Sequence, residues 1–218
     1  MIKKWIASLG VILGVGILAV SCAQSIVRKE SPQIVRGEVH VNLVKLSEID
    51  PDIVVDFRYA TDDNFLKKGV YPRNEAFIIN SAGQRLKRVN DRLEEQGFGL
   101  KVWEAYRPPW VQKEMWKILP DDRYVADPSL GSRHNRGCAV DVTLVDAQGN
   151  ELEMPTLFDD FSEKAHPEYS DVSPIAIRNR QILRAAMMAE VFEPFPTEWW
   201  HFDDPNWRDY PILDVNPY

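Results

Sequence analysis

Ser132-Arg133-His134-Asn135-Arg136-Gly137-Cys138-Ala139-Val140-Asp141-Val142-Thr143-Leu144-Val145 opens as a polar loop and becomes an alternating run. The alternation predicts a strand from Cys138 to Val145. Cys138, Val140, Val142 and Leu144 share one face, and Ala139, Asp141 and Thr143 share the other. The first face is built for a core. On the second, a carboxylate stands among small neighbours that leave room for a ligand. Gly137 permits a tight turn between loop and strand, so His134 can fold back over the face that carries Asp141. Ala147-Gln148-Gly149-Asn150 follows as a turn, the signal of a hairpin.

Working outward, Ile53 to Tyr59 is a β-branched strand candidate, and Ala82, Leu86, Val89 and Leu93 recur at helical steps before Gly97. A strand is expected from Leu100 to Ala105. Pro108 and Pro109 then stand where a first helical turn tolerates proline, opening a helix to about Leu119. Ser173-Pro174 opens another, to about Glu190, and Thr197 to Phe202 closes the domain as a strand or turn. Helices in separate blocks, with hairpin-connected strands between them, predict an α+β fold: an antiparallel sheet with helices packed on one side.

With 44% hydrophobic and 27% charged residues in 218, the chain has the composition of one globular domain rather than a disordered one. Its start reads differently. Lys3 and Lys4 precede an uncharged run, Trp5 to Val20, that would span only about 24 Å as a helix against a hydrocarbon core of about 30 Å. A signal peptide fits better than a membrane span. The run ends at Leu18-Ala19-Val20-Ser21-Cys22, which resembles a bacterial lipoprotein signal, with Cys22 as the lipidated residue. The expected organisation is therefore a signal peptide at 1–21, a polar tether at 22–42 and a catalytic domain at 43–218. The domain is exported to the periplasm or cell envelope and anchored to the membrane by its N-terminal lipid. Without residues 1–21 the chain carries 24 basic and 33 acidic groups, an acidic balance that excludes nucleic acid as a partner.

The only cysteines are Cys22 and Cys138, so a metal would be held by histidines and carboxylates. Glu198-Trp199-Trp200-His201 offers a second histidine beside a carboxylate able to take a proton from metal-bound water. Odd spacing puts Glu198 and His201 on opposite faces of a regular strand, so a shared site requires a turn or bulge there. Two histidines and an aspartate also make the facial triad of non-haem iron oxygenases. Those sites space histidine and carboxylate more closely than His134 and Asp141, and they leave Glu198 unexplained. A hydrolytic zinc site, whose bound water has a pKa near 7, accounts for all four residues. His40 and His166 fall in no ligand pattern and read as surface or structural residues.

SRHNRGCAVDVTL and EWWH together resemble the D-alanyl-D-alanine dipeptidases, the zinc enzymes of the vancomycin-resistance type within the LAS peptidases (peptidase family M15). The likeness extends through Arg58-Tyr59-Ala60-Thr61, Glu104-Ala105-Tyr106-Arg107-Pro108 and Phe158-Asp159, and spans roughly residues 43 to 205. It implies one Zn²⁺ per chain on His134, Asp141 and His201, with Glu198 as catalytic base and Arg107 stabilising the developing oxyanion. Asp159 would receive the substrate amine, and Tyr59 and Ser132 would line the substrate pocket. The implied reaction is hydrolysis of D-Ala-D-Ala to two D-alanines. The alternatives are a related cell-wall D,D-carboxypeptidase or endopeptidase acting on longer peptides, and a zinc-bound wall-binding module without catalysis.

Overall fold

The computed structural model describes residues 42–218; the expectations for 1–21, for the tether up to residue 41 and for Cys22 lie outside the described residues. In chain order the elements are β1 (Leu43–Lys45), α1 (Leu46–Ile49), β2 (Val54–Val55), β3 (Phe77–Ile79), α2 (Asn80–Glu94), β4 (Phe98–Glu104), α3 (Pro109–Ile118), β5 (Ala139–Asp146), α4 (Pro174–Ala189), β6 (Glu193–Pro194) and β7 (His201–Asp203). Five strands form the central sheet in the order β2-β4-β5-β7-β6, and β1 pairs with β3 in a small second sheet. The central sheet is antiparallel except at its edge, where β2 runs parallel to β4.

The alternation of β5 sets the layers. Val142 and Leu144 lie opposite Val102 and Leu100 of β4, and all four are buried. Against this face pack α2 and α4, which also touch each other. Ala82, Leu86, Val89 and Leu93 supply the fully buried stripe of α2, and Asn90 accepts the backbone N–H of Leu100 at 2.9 Å, tying helix to sheet. Ser173 caps α4, its hydroxyl accepting from the Ala176 N–H at 3.0 Å, and Pro174 occupies the first turn. The opposite face of the sheet is covered by irregular chain: Phe158 packs on Trp103 and Trp200, and Trp199 packs on Trp103. The two long helices α2 and α4 thus keep to one side, and loops cover the second face, where Met115 of α3 joins the wall of a cavity.

Two expected elements are shorter than the sequence suggested. The stretch 53–59 pairs only at Val54–Val55 and then coils into a single 3-10 turn at Arg58–Ala60. The last ladder bond runs from the Asp56 N–H to the Val102 carbonyl at 3.0 Å; beyond it the Phe57 N–H bonds to the Asn74 side chain at 2.7 Å, and the Tyr59 carbonyl accepts from both Val70 and Tyr71. The turn after β5 forms, with the Asp146 carboxylate accepting the Gln148 and Asn150 N–H groups, but its return is a single bridge from Val145 to Glu151. Cys138 is buried as a small packing residue, and His166 is half-buried. The last segment crosses back over the loop before β5: the Leu213 N–H donates to the Asn135 carbonyl at 2.8 Å, and the Tyr218 hydroxyl donates to the Tyr106 carbonyl at 2.9 Å.

Candidate metal centre

Three ligand atoms converge from a loop and two paired strands. His134 opens a 3-10 turn that ends at Gly137 (φ 68°), a left-handed position where a Cβ would lie 2.8 Å from Leu43 Cδ2. The loop is stapled to the segment after β4: the Arg107 N–H donates to the His134 carbonyl at 3.1 Å, and Asn135 Nδ2 donates to the Arg107 carbonyl at 2.7 Å. Asp141 of β5 is the register partner of His201 on β7, which places their side chains side by side. His134 Nε2 lies 3.2 Å from His201 Nδ1 and 3.5 Å from Asp141 Oδ1, and His201 Nδ1 lies 3.0 Å from Asp141 Oδ1.

The far nitrogen of each ring is engaged. His134 Nδ1 donates to the Ala105 carbonyl at 2.7 Å and His201 Nε2 donates to Asp203 Oδ1 at 3.1 Å. In neutral rings these bonds fix the tautomers, so two nitrogen lone pairs and a carboxylate oxygen face one another. Three acceptors aimed at one point call for a cation. Tetrahedral ligands at the Zn–N and Zn–O lengths of about 2.0–2.1 Å would stand about 3.3 Å apart, close to the separations found. The three residues can hold a metal ion. The electrostatics favour positive charge at this point, which in the absence of an ion is a proton on His201. Burial alone would lower His201, but the Asp203 and Asp141 carboxylates push it up to about 10. Burial likewise opposes ionisation of Asp141, yet His134 and His201 hold its carboxyl well below the ordinary range.

Glu198 reaches the same centre from a turn, as the spacing required: the His201 N–H bonds to the Glu198 carbonyl at 3.3 Å, and the chain enters β7 only at His201. Glu198 Oε2 stands 3.8 Å from His201 Nδ1. Burial, with Asp141 and Asp159 nearby, raises its carboxyl to about 8 against the pull of His201 and Arg107.

Arg107 is buried beside this group. Its Nε and Nη2 donate to the two oxygens of Glu104, and its Nη1 donates to Gln112 Oε1 at 2.8 Å. Burial works against the guanidinium, but the Glu104 carboxylate holds it firmly protonated. Asp159 adopts φ 60°, a left-handed conformation that aspartate tolerates better than most residues. The Tyr59 hydroxyl donates to its carboxylate at 3.0 Å and the Phe65 N–H at 3.0 Å. Burial raises Asp159 to about 7, those two donors opposing and Glu104 and Asp141 adding to the rise. Ser132 is paired with Asn135, donating its N–H to Oδ1 at 2.7 Å while its hydroxyl accepts the Asn135 N–H at 3.2 Å.

One cavity of about 430 Å³ is lined by His134, Asp141, His201, Glu198, Arg107, Asp159, Ser132 and Tyr59, so every site residue named from the sequence within the described chain meets there. Sequence reasoning passed over Asp203, Glu104, Gln112 and Asn135. Asp203 carried a readable signal: two residues beyond His201 on a strand, it shares that residue's face. Glu104 and Gln112 carried none, because their role depends on where Arg107 folds.

Residues 39–215 match the family model described as D-ala-D-ala dipeptidase. A D-alanyl-D-alanine dipeptidase of Escherichia coli (strain K12) is 37% identical over 171 residues, covering 78% of this chain and 89% of that protein. One from Enterococcus faecium is 28% identical, covering 80% of this chain and 100% of the relative. Among solved structures, a vancomycin-resistance D,D-dipeptidase in complex with a D-Ala-D-Ala phosphinate analogue aligns at a TM-score of 0.40 with 16% identity, over 79% of this chain and 71% of that one. On the strength of the family match and the Escherichia coli relative, the chain belongs to the D-ala-D-ala dipeptidase family, the metal-dependent peptidases M15.

Proposed function

We propose that the protein is a zinc D,D-dipeptidase that hydrolyses D-Ala-D-Ala to two D-alanines. The observation that carries this is the convergence of His134, Asp141 and His201, each held in its ligating orientation, beside a buried carboxylate that is not itself one of the three. Bound there, Zn²⁺ supplies a Lewis acid and a water whose pKa falls to about 7. Everything else is work for the chain's own side chains. Glu198 accepts the proton of the attacking water on its carboxylate and returns it to the leaving amine nitrogen. Arg107, held rigid by Glu104 and Gln112, faces the cavity as a fixed positive charge for the oxygen that becomes negative as the amide carbonyl is attacked. Asp159 takes the substrate ammonium, with Tyr59 and Phe65 holding its carboxylate in place. Ser132, locked to Asn135, forms part of the pocket wall.

The test is turnover of D-Ala-D-Ala against tri- and tetrapeptides ending in the same pair, with metal content measured on the same sample. Zinc near one per chain and preference for the dipeptide are expected. Preference for the longer peptides would make this a cell-wall carboxypeptidase or endopeptidase, and full zinc without turnover would make it a binding module. Export and lipid anchoring through Cys22 belong to the same proposal, supported by the charged start, the apolar run and the cysteine that follows it. The full chain should label with a fatty-acid probe and partition with membranes, and Cys22→Ser should abolish both.

A further inference from the structure

A dipeptide carries opposite charges at its two ends, and the dipeptidase reading, on which this inference rests, accounts only for the ammonium. The other pole of the cavity lies across the sheet. Tyr59, which holds Asp159, follows edge strand β2, whereas Phe195 follows the opposite edge strand β6 and packs on His201 at 4.9 Å. Asp141 and His201 stand between them on β5 and β7.

Arg133 occupies this second pole. Its Nη1 donates to Asp203 Oδ2 at 2.6 Å, while the other oxygen of the same carboxylate accepts from His201. Its guanidinium lies 5.3 Å from the Phe195 ring centre and 4.7 Å from that of Trp207. These contacts fix the plane of the group. The rest of its fork makes no hydrogen bond among the described residues, and the side chain keeps 30% of its surface open on the wall of the metal cavity. Of the other arginines on this wall, Arg107 is bound on both sides by Glu104 and Gln112, whereas Arg136 makes one hydrogen bond among the described residues, to the Tyr210 carbonyl, and lacks the carboxylate that orients Arg133.

We propose that Arg133 is a specificity-determining residue that receives the substrate's C-terminal carboxylate. A planar fork matches a carboxylate, and a guanidinium already held by an aromatic face and one carboxylate loses little freedom on binding another. The charged ends of an extended dipeptide stand about 7 Å apart, and Asp159 and Arg133, opposite in charge, line the same cavity. The consequence is selection for peptides in which one free-acid residue follows the scissile amide.

The experiment compares metal-loaded wild type, Arg133→Gln and Arg133→Lys on D-Ala-D-Ala and on its C-terminal amide, with metal content measured for each. Wild type should favour the free acid by about 10- to 100-fold in kcat/KM, the range of a charge-assisted contact. Arg133→Gln should lose that preference through a higher KM for the acid, and Arg133→Lys should keep part of it. An unchanged preference in Arg133→Gln would overturn the proposal. So would a parallel fall for acid and amide accompanied by loss of metal, which would mean that Arg133 acts only by supporting Asp203. No turnover of the free dipeptide by loaded wild type would overturn the dipeptidase reading itself, and this assignment with it.

Discussion

Each histidine of the centre owes its orientation to the nitrogen that points away from the metal. Asp203→Ala removes the partner of His201 Nε2, and a lost orienting carboxylate of this kind lowers metal affinity about 10- to 100-fold, measurable by competition with a chelator. Glu198→Ala is expected to keep metal and fold while kcat falls about 10²- to 10⁴-fold, since a base outside the ligand set acts on the proton alone. Near-normal turnover with metal in place would move the base elsewhere. Asp159 has two readouts. Its folded pKa of about 7 lies above the unfolded value of about 3.9, so its contribution to stability is complete below pH 4 and is lost as pH rises through 7. Asp159→Asn should therefore melt higher than wild type at pH 8 and not at pH 4, in calorimetric scans at both. The same variant should lose kcat/KM on the free dipeptide, and wild type should turn over N-acetylated D-Ala-D-Ala poorly. Efficient cleavage of the acetylated peptide would remove Asp159 from amine recognition.

At the scale of elements, Gly137 decides whether the metal loop can return to β5. Gly137→Ala forces a side chain into a left-handed position, a cost of about 1–2 kcal/mol, and presses its Cβ on Leu43, 2.8 Å away. Urea titration should show that loss together with weaker metal binding, and an unchanged midpoint would mean the loop tolerates another path. What was legible in the sequence follows the range of the interactions. The stripe of α2, the proline start of α3, the capped start of α4 and the alternation of β5 are set by neighbours a few residues away, and each stands where its pattern placed it. The parallel pairing of β2 with β4, the small sheet of β1 and β3, and the early end of the strand at Arg58 depend on partners many residues distant, such as Asn74 for Phe57. The site divides in the same way. His134, Asp141, Glu198 and His201 stand in short motifs whose spacing makes chemical sense, whereas Glu104 and Gln112 gain their meaning only once Arg107 is folded between them.

Considered as a whole, the chain gathers its centre from distant stretches: His134 and His201 lie 67 positions apart, and the final segment ties down Asn135 beside the first of them. An unfolded chain cannot present these three atoms together, so an ion that binds them acts as a reversible clasp on the native state. By mass action, each tenfold rise in free metal above the dissociation constant adds about 1.4 kcal/mol to stability. Melting temperature measured in metal buffers should climb steadily with the logarithm of free zinc in wild type and stay flat in His201→Ala. A flat wild-type response would mean that the clasp closes elsewhere. Scarcity then has a second effect besides idle active sites: the empty chain opens more often, proteases cut what opens, and the amount of protein that survives becomes a record of how much metal its surroundings held.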